Sequence, residues 1–196
     1  MQFRQMTRQE VEYWYHYELC TAFLPQECKP FADICTLQEA GRYELWGLFE
    51  NGDMLGYSAL WKAPDIPLVL LDYLGVTALQ RNHGLGTEIL KCLKEQGRPL
   101  VLESELPIVG EREEDNQLRL RRIDFYCRNG FVPVYRMATC GLAWQALLYD
   151  PTNADIADIM RWHRELYGPE RHDVKVPLPD GEVPKMPYWM QNKEHR

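Results

Sequence analysis

No run of about 18 apolar residues occurs anywhere in the 196-residue chain, so a membrane-spanning helix has nothing to form from. The opening MQFRQMTRQE lacks the apolar segment of a secretory leader, and the expectation is a cytoplasmic protein. Positive charge is in short supply. The 22 Lys and Arg against 29 Asp and Glu leave a net charge of −7, which argues against nucleic acid or an anionic membrane as partner and is compatible with a cationic substrate. The 6 cysteines (Cys20, Cys28, Cys35, Cys92, Cys127, Cys140) stand singly, with no Cys-x-x-Cys pair and no histidine at zinc spacing. Structural thiols in a reducing compartment, and no metal, are therefore expected. Internal repeats and low-complexity runs are missing too.

What is present is a core. Apolar residues make up 45% of the chain and aromatics 12%, and at this length a single domain buries about 70% of its unfolded surface. The stretch 68–96, LVLLDYLGVTALQRNHGLGTEILKCLKEQ, reads as a buried strand, a short loop and an amphipathic helix. Leu68–Val76 is apolar except for Asp72. Leu85, Ile89, Cys92 and Leu93 recur at helical spacing, and Gly97 supplies a stop. Between them, in Arg81-Asn82-His83-Gly84-Leu85-Gly86, the two glycines allow a tight turn and close approach of an anion to backbone N–H groups at a helix N-terminus.

Two nucleotide-binding patterns fail on specific residues. A P-loop needs Gly-Lys-Ser/Thr, whereas Gly86 is followed by Thr87 and Glu88. The dinucleotide fingerprint needs a third glycine where Ile89 stands. What remains is Arg-x-x-Gly-x-Gly between a strand and a helix. Further along, a helix with Asp115 or Asn116 expected as its cap and Leu120, Ile123 and Cys127 on one face ends at Asn129-Gly130 before a strand that begins at Phe131, so that the stretch Arg121–Phe131 closes on Phe-Tyr-x-x-x-Gly-Phe. The two motifs together resemble the pyrophosphate loop and the fourth-helix motif of the GNAT N-acetyltransferase superfamily, bacterial small-molecule type, over about residues 40–150.

That resemblance implies an α/β (α+β) fold: a mixed, mostly antiparallel twisted sheet of about six to seven strands with a parallel pair at its centre, flanked by helices. It implies acetyl-CoA as cosubstrate and no metal. The diphosphate would rest on the backbone of Asn82, His83, Gly84, Leu85, Gly86 and Thr87, with Arg81 at the edge and Arg122 near the nucleotide. Backbone donors to the thioester carbonyl would come from Leu74, Gly75 and Val76, where family members splay two strands. Tyr126 would point at the sulfur. One departure stands out: many members carry asparagine seven residues before this tyrosine, and here it is Arg119.

The flanks are read without the resemblance. Thr7-Arg8-Gln9-Glu10 has capping-box form and opens a helix running to Pro25; Pro30 opens a second, closing near Gly41. The aromatics Trp14, Tyr15, Tyr17 and Phe31 either line a substrate pocket or pack the core. Tyr43–Glu50 and Met54–Lys62 alternate as strands about an Asn51-Gly52 hairpin turn, and Pro99–Pro107 is a further strand parallel to the central one. Residues 131–150 read as two strands joined near Cys140-Gly141. Asp150-Pro151 begins a last helix with Ile156, Ile159, Met160, His163 and Tyr167 on one face. The domain is expected to span 1–168, followed by an extended, proline-containing arm from 169 to 196 that packs over the site, makes a homodimer contact, or does neither.

Moving an acetyl group from a thioester to an amine needs a proton acceptor, because an alkylammonium has a pKa of about 10.4. Three carboxylates are candidates. Asp72 interrupts an apolar strand, where charge is costly unless paired or wetted. Glu103 and Glu105 share a strand face by alternation, in a Leu-Glu-x-Glu run similar to that of relatives in the family. For each, the alternative is an ion-paired structural residue or a subsite for a cationic substrate. Tyr126 is the candidate acid for the departing thiolate, or else a core aromatic. The expected activity is acetyl transfer to a small primary amine by direct attack in a ternary complex; a protein or peptide acetyltransferase and a non-catalytic acyl-CoA-binding module are the alternatives.

Overall fold

The computed structural model describes residues 1–81 and 83–191. Its frame is one seven-stranded sheet in the order β1-β2-β3-β4-β5-β7-β6, formed by β1 (Gln2–Gln5), β2 (Tyr43–Glu50), β3 (Asp53–Ala63), β4 (Ile66–Val76), β5 (Leu100–Glu105), β6 (Val132–Thr139) and β7 (Leu142–Tyr149). Every pairing is antiparallel except β4 with β5. That pair is parallel because the chain returns through a helix, α4 (Leu85–Lys94). The β2–β3 turn puts Asn51 and Gly52 at positive φ, and the β6–β7 turn does the same with Cys140 and Gly141, as two-residue hairpins require.

Helices cover both faces. On one, α4 inserts Leu85, Ile89, Leu90 and Leu93 against Leu48, Leu60, Leu71 and Leu102, with α5 (Glu113–Arg128) adding Ile123, Phe125 and Tyr126. On the other, Trp14, Leu19, Ile34, Ile159 and Leu166 pack against Tyr57, Trp61, Leu70 and Val101. These come from α1 (Arg8–Tyr13) with its continuation, from α3 (Phe31–Glu39) and from α6 (Ile156–Leu166). The Thr7/Glu10 capping box forms as expected: the Thr7 amide donates to Glu10 at 2.7 Å.

Several local expectations shift. The first helix is not uniform: it loosens to a π-helix over Trp14–Leu19, tightens again as α2 (Cys20–Ala22), and turns extended at Phe23 before Pro25. Helix α5 starts at Glu113 behind Arg112, because Asn116 spends its side-chain amide on both backbone groups of Ile108 and neither it nor Asp115 serves as cap. Leu120 and Cys127 are exposed, since α5 lies on the sheet along Ile123, Phe125 and Tyr126. The last long helix begins at Ile156 under an Asp155 cap; Asp150 instead closes a turn by accepting from Thr152 and Ala154.

Beyond Gly168 the chain lies along the open side of β6. Lys175 bridges Ala138, Leu178 donates to Arg136, and α7 (Tyr188–Gln191) returns to meet Asp33 of α3 through Tyr188. Buried Arg171 anchors this segment. It forms a two-point ion pair with Asp173 at 2.8 Å, donates to Thr139 at 2.9 Å and lies between the rings of Tyr167 and Trp189. No helix among the described residues is long and apolar enough to cross a membrane.

Candidate active site

The site begins where two strands part. β4 and β5 are paired only from Val69↔Leu100 to Leu71↔Leu102, after which both continue without contact in register. The cause lies at Asp72. Against β3, Leu71 faces Leu60 and Tyr73 faces Ala59, so Asp72 is an extra residue, a β-bulge, and a bulge bends and twists its strand. Beyond it the Thr77 amide donates to Leu55 of the β3 side, and strand alternation turns the amides of Leu74 and Val76 the other way, into the gap. Gly75 is fixed by packing: a Cβ there would lie 2.2 Å from the Tyr57 ring. The gap widens into a cleft of about 1390 Å³ whose walls come from the first helix, the end of β4, the loop before α4, β5 and α5.

One end of the cleft is the N-terminus of α4. Gly84 caps it at φ +77°, a left-handed conformation that a side chain disfavours, and the first helical bond runs from Glu88 N–H to Gly84. The amides of Leu85, Gly86 and Thr87 therefore have no partner within the helix, and three such donors with the helix dipole behind them suit an anion. Gly86 is constrained from outside: a Cβ would sit 3.1 Å from Phe125 of α5. Arg81, Gly84, Leu85, Gly86 and Thr87 all line the cleft. His83 is exposed and outside its lining, and Asn82 lies outside the described residues.

From α5, Arg119, Arg122, Phe125 and Tyr126 form the adjoining wall. The Tyr126 phenol has no hydrogen-bond partner among the described residues, and burial pushes it up to about 12 against a small opposing pull from Arg122. It therefore remains a proton donor through the neutral range.

The three carboxylates foreseen in the sequence all line the cleft, but their surroundings differ. Asp72 is locked: both oxygens bond Lys29 Nζ, at 2.8 and 2.7 Å, and the Tyr43 hydroxyl donates to it. The two side chains are each only 7% exposed. Removing one partner of such a pair strands the other, so Asp72→Ala should lose about 3–5 kcal/mol of unfolding free energy in urea. A loss of turnover at unchanged stability would instead give Asp72 a chemical role.

Glu103 and Glu105 sit two apart on a β5 that keeps unbroken register with β7, and both line the cleft, but their carboxylates go to different helices. β5 ends at Glu105, where it has lost its β4 neighbour. Glu105 turns to α5 and meets Arg122 at 3.1 Å and Arg119 at 3.4 Å, with Arg119 also held by Glu111 at 2.6 Å. Arg119 is thus spent on two carboxylates. Glu103 turns to α6. Its Oε1 lies 2.7 Å from the Tyr167 hydroxyl and 3.0 Å from His163 Nε2, while Oε2 has no hydrogen-bond partner among the described residues.

Besides Asp115, which the sequence offered only as a helix cap, two carboxylates that sequence reasoning missed stand in the walls, Glu18 and Glu27. Burial raises both; Arg81 opposes it at Glu18 and the Leu24 amide, 2.8 Å away, opposes it at Glu27. Neither carries a motif, though Glu27 falls in the short connection between Pro25 and Pro30 where loop residues reach a site. Of the early aromatics, Tyr17 reaches the cleft, whereas Trp14 is wholly buried and Tyr15 packs on Phe31 and donates to the Lys29 carbonyl.

A seven-stranded mixed sheet with a parted parallel pair and a helix N-terminus beside the gap is the GNAT acetyltransferase fold, and solved structures bear this out. The chain is similar to a protein of Bacteroides thetaiotaomicron assigned to the GNAT acetyltransferases, with TM-score 0.66 and 23% identity over 84% of this chain and 95% of that one. It is similar to a Salmonella typhimurium protein solved with acetyl-CoA, with TM-score 0.56 and 17% identity over 79% and 96%. It is also similar to the aminoglycoside 6′-N-acetyltransferase of Enterococcus faecium, with TM-score 0.55 and 13% identity over 76% and 96%. No protein-family model and no curated protein matches the chain.

Proposed function

We propose that this protein is an acetyl-CoA-dependent N-acetyltransferase acting on a primary amine of a small, cationic molecule. The observation that carries the reading is the gap between β4 and β5, which opens unpaired strand amides directly onto the free amides of the α4 N-terminus. A pantetheine arm is a chain of amides that can pair with a strand edge, and a diphosphate is the group such a helix end favours. The residues fit the cosubstrate: Leu85, Gly86 and Thr87 amides with Arg81 for the diphosphate, Leu74 and Val76 amides along the arm, Arg122 toward the nucleotide. Acetyl-CoA supplies the activated acyl group and a thiolate leaving group.

The chain's own residues do the rest. Glu18 and Glu27 draw an ammonium group to the mouth, where their partial burial strengthens the attraction. Glu103 takes the amine proton. It alone among the three foreseen carboxylates faces no lysine or arginine among the described residues, whereas Asp72 and Glu105 are neutralised by cations. The amine lone pair forms the C–N bond, the C–S bond breaks, and the Tyr126 hydroxyl donates to the sulfur as charge develops. Small-molecule amine substrates of structurally similar proteins, aminoglycosides among them, support the acceptor class.

The test is release of free thiol from acetyl-CoA against a panel of polyamines, aminoglycosides, amino acids and peptides. The expected result is turnover with a dicationic or polycationic small amine, falling steeply with added salt. Turnover with peptides alone would move the acceptor class, and none with any member would leave a binding module.

A further inference from the structure

Helix α6 lies beyond the two motifs and behind the cleft lining, yet two of its residues touch Glu103 in the cleft wall. His163 is fully buried, and its two ring nitrogens touch Tyr135 on β6 and Glu103 on β5, at 2.9 and 3.0 Å. Tyr167, the residue closing α6, donates to the same Glu103 oxygen at 2.7 Å. A histidine at 0% exposure is costly unless both nitrogens are satisfied, and only one neutral arrangement satisfies every atom here. Tyr135 O–H donates to Nδ1, and Nε2–H donates to Glu103. Two donors then converge on Oε1 and leave Oε2 as the only open acceptor of a carboxylate at the cleft wall.

We infer that His163 and Tyr167 are positioning residues for Glu103, holding one carboxylate oxygen so that the other faces the incoming amine. The inference rests on Glu103 as proton acceptor in the proposed reaction. Neither residue touches substrate; both act through Glu103. The groups around this carboxylate are His163 and Tyr167 from α6, Tyr135 from β6, and, across the gap, Asp72 from β4 with its partners Lys29 and Tyr43. Arg171 lies over the Tyr167 ring, 4.9 Å from its centroid. Asp72 is already charge-compensated by Lys29, so the hydrogen bonds that fix the Glu103 carboxylate come from α6.

Two measurements test this, one independent of turnover. Nitrogen-15 NMR of the histidine side chains in the intact protein should show His163 protonated at Nε2, with that proton shielded from exchange and moved upfield in Glu103→Ala. A ring unprotonated at Nε2 overturns the inference whatever the enzyme's activity. In steady-state kinetics, Tyr167→Phe and His163→Phe should each lower kcat by roughly 10-fold with KM for acetyl-CoA unchanged, because a misplaced base costs turnover and not cosubstrate binding. His163→Gln, whose amide can accept from Tyr135 and donate to Glu103, should recover most of the loss. Tyr167→Phe guards against a folding defect, since it deletes a single hydroxyl. Unchanged kcat in both phenylalanine variants would overturn the inference; absence of turnover in the parent protein would instead sink the proposed reaction, with the NMR result still deciding the role of His163.

Discussion

Gly86→Asp abolishes acetyl-CoA binding in calorimetry, with affinity down by at least about 100-fold, since charge-assisted hydrogen bonds to a diphosphate are worth about 1.5–3 kcal/mol each and a carboxylate among them reverses the field. The expectation follows from where Gly86 sits. Its amide is in the unpaired first turn of α4, and its missing side chain lets Phe125 of α5 close the cleft wall. Gly86→Ala is the graded control. A Cβ 3.1 Å from Phe125 Cζ forces the ring back by a few tenths of an ångström, so affinity should fall less, and Phe125→Leu in the same chain should restore it. Undiminished binding in Gly86→Asp would remove the α4 N-terminus from the site.

The second large effect is at Tyr126. Tyr126→Phe should cut kcat by about 100-fold, the lower range for loss of a positioned acid, while the affinity for acetyl-CoA changes little. The ring stays and keeps its edge contacts with Phe125 and Phe131; only the unpartnered hydroxyl goes. Burial holds that phenol up to about 12, so it stays protonated until well above neutrality, and no basic limb below about pH 10 in the rate profile should trace to it. A variant with full turnover would return Tyr126 to the rank of core aromatic.

The parts of this molecule written in local sequence were legible. The glycine pair of 84 and 86, the amphipathic run of α4 and the Thr7 capping box each declare a backbone conformation within a few residues, and each forms where its chemistry demands. Long-range relations were not legible. Asp72 looked like a charge stranded in a buried strand; only its register against β3 makes it a bulge, and only the distant Lys29 and Tyr43 make it tolerable. Alternation put Glu103 and Glu105 on one face, and β5 does run in regular register with β7 as far as Glu105, but nothing local says that one carboxylate goes to α6 and the other to the arginines of α5. Periodicity did place His163 on the inner side of the last helix, but its partner Glu103 lies 60 residues away, a pairing no local pattern encodes. The segment after Gly168 read as an arm by its prolines; the burial of Arg171 against Asp173 and Thr139 is what ties it to the sheet.

A crystal structure of the protein soaked with coenzyme A tests the central claim most directly. The expected result is diphosphate oxygens within hydrogen-bond reach of the Leu85, Gly86 and Thr87 amides, the pantetheine lying along Leu74 and Val76, and the sulfur beside the Tyr126 hydroxyl. Coenzyme A bound away from the gap between β4 and β5, or seated there with its diphosphate turned from the α4 N-terminus, would contradict it.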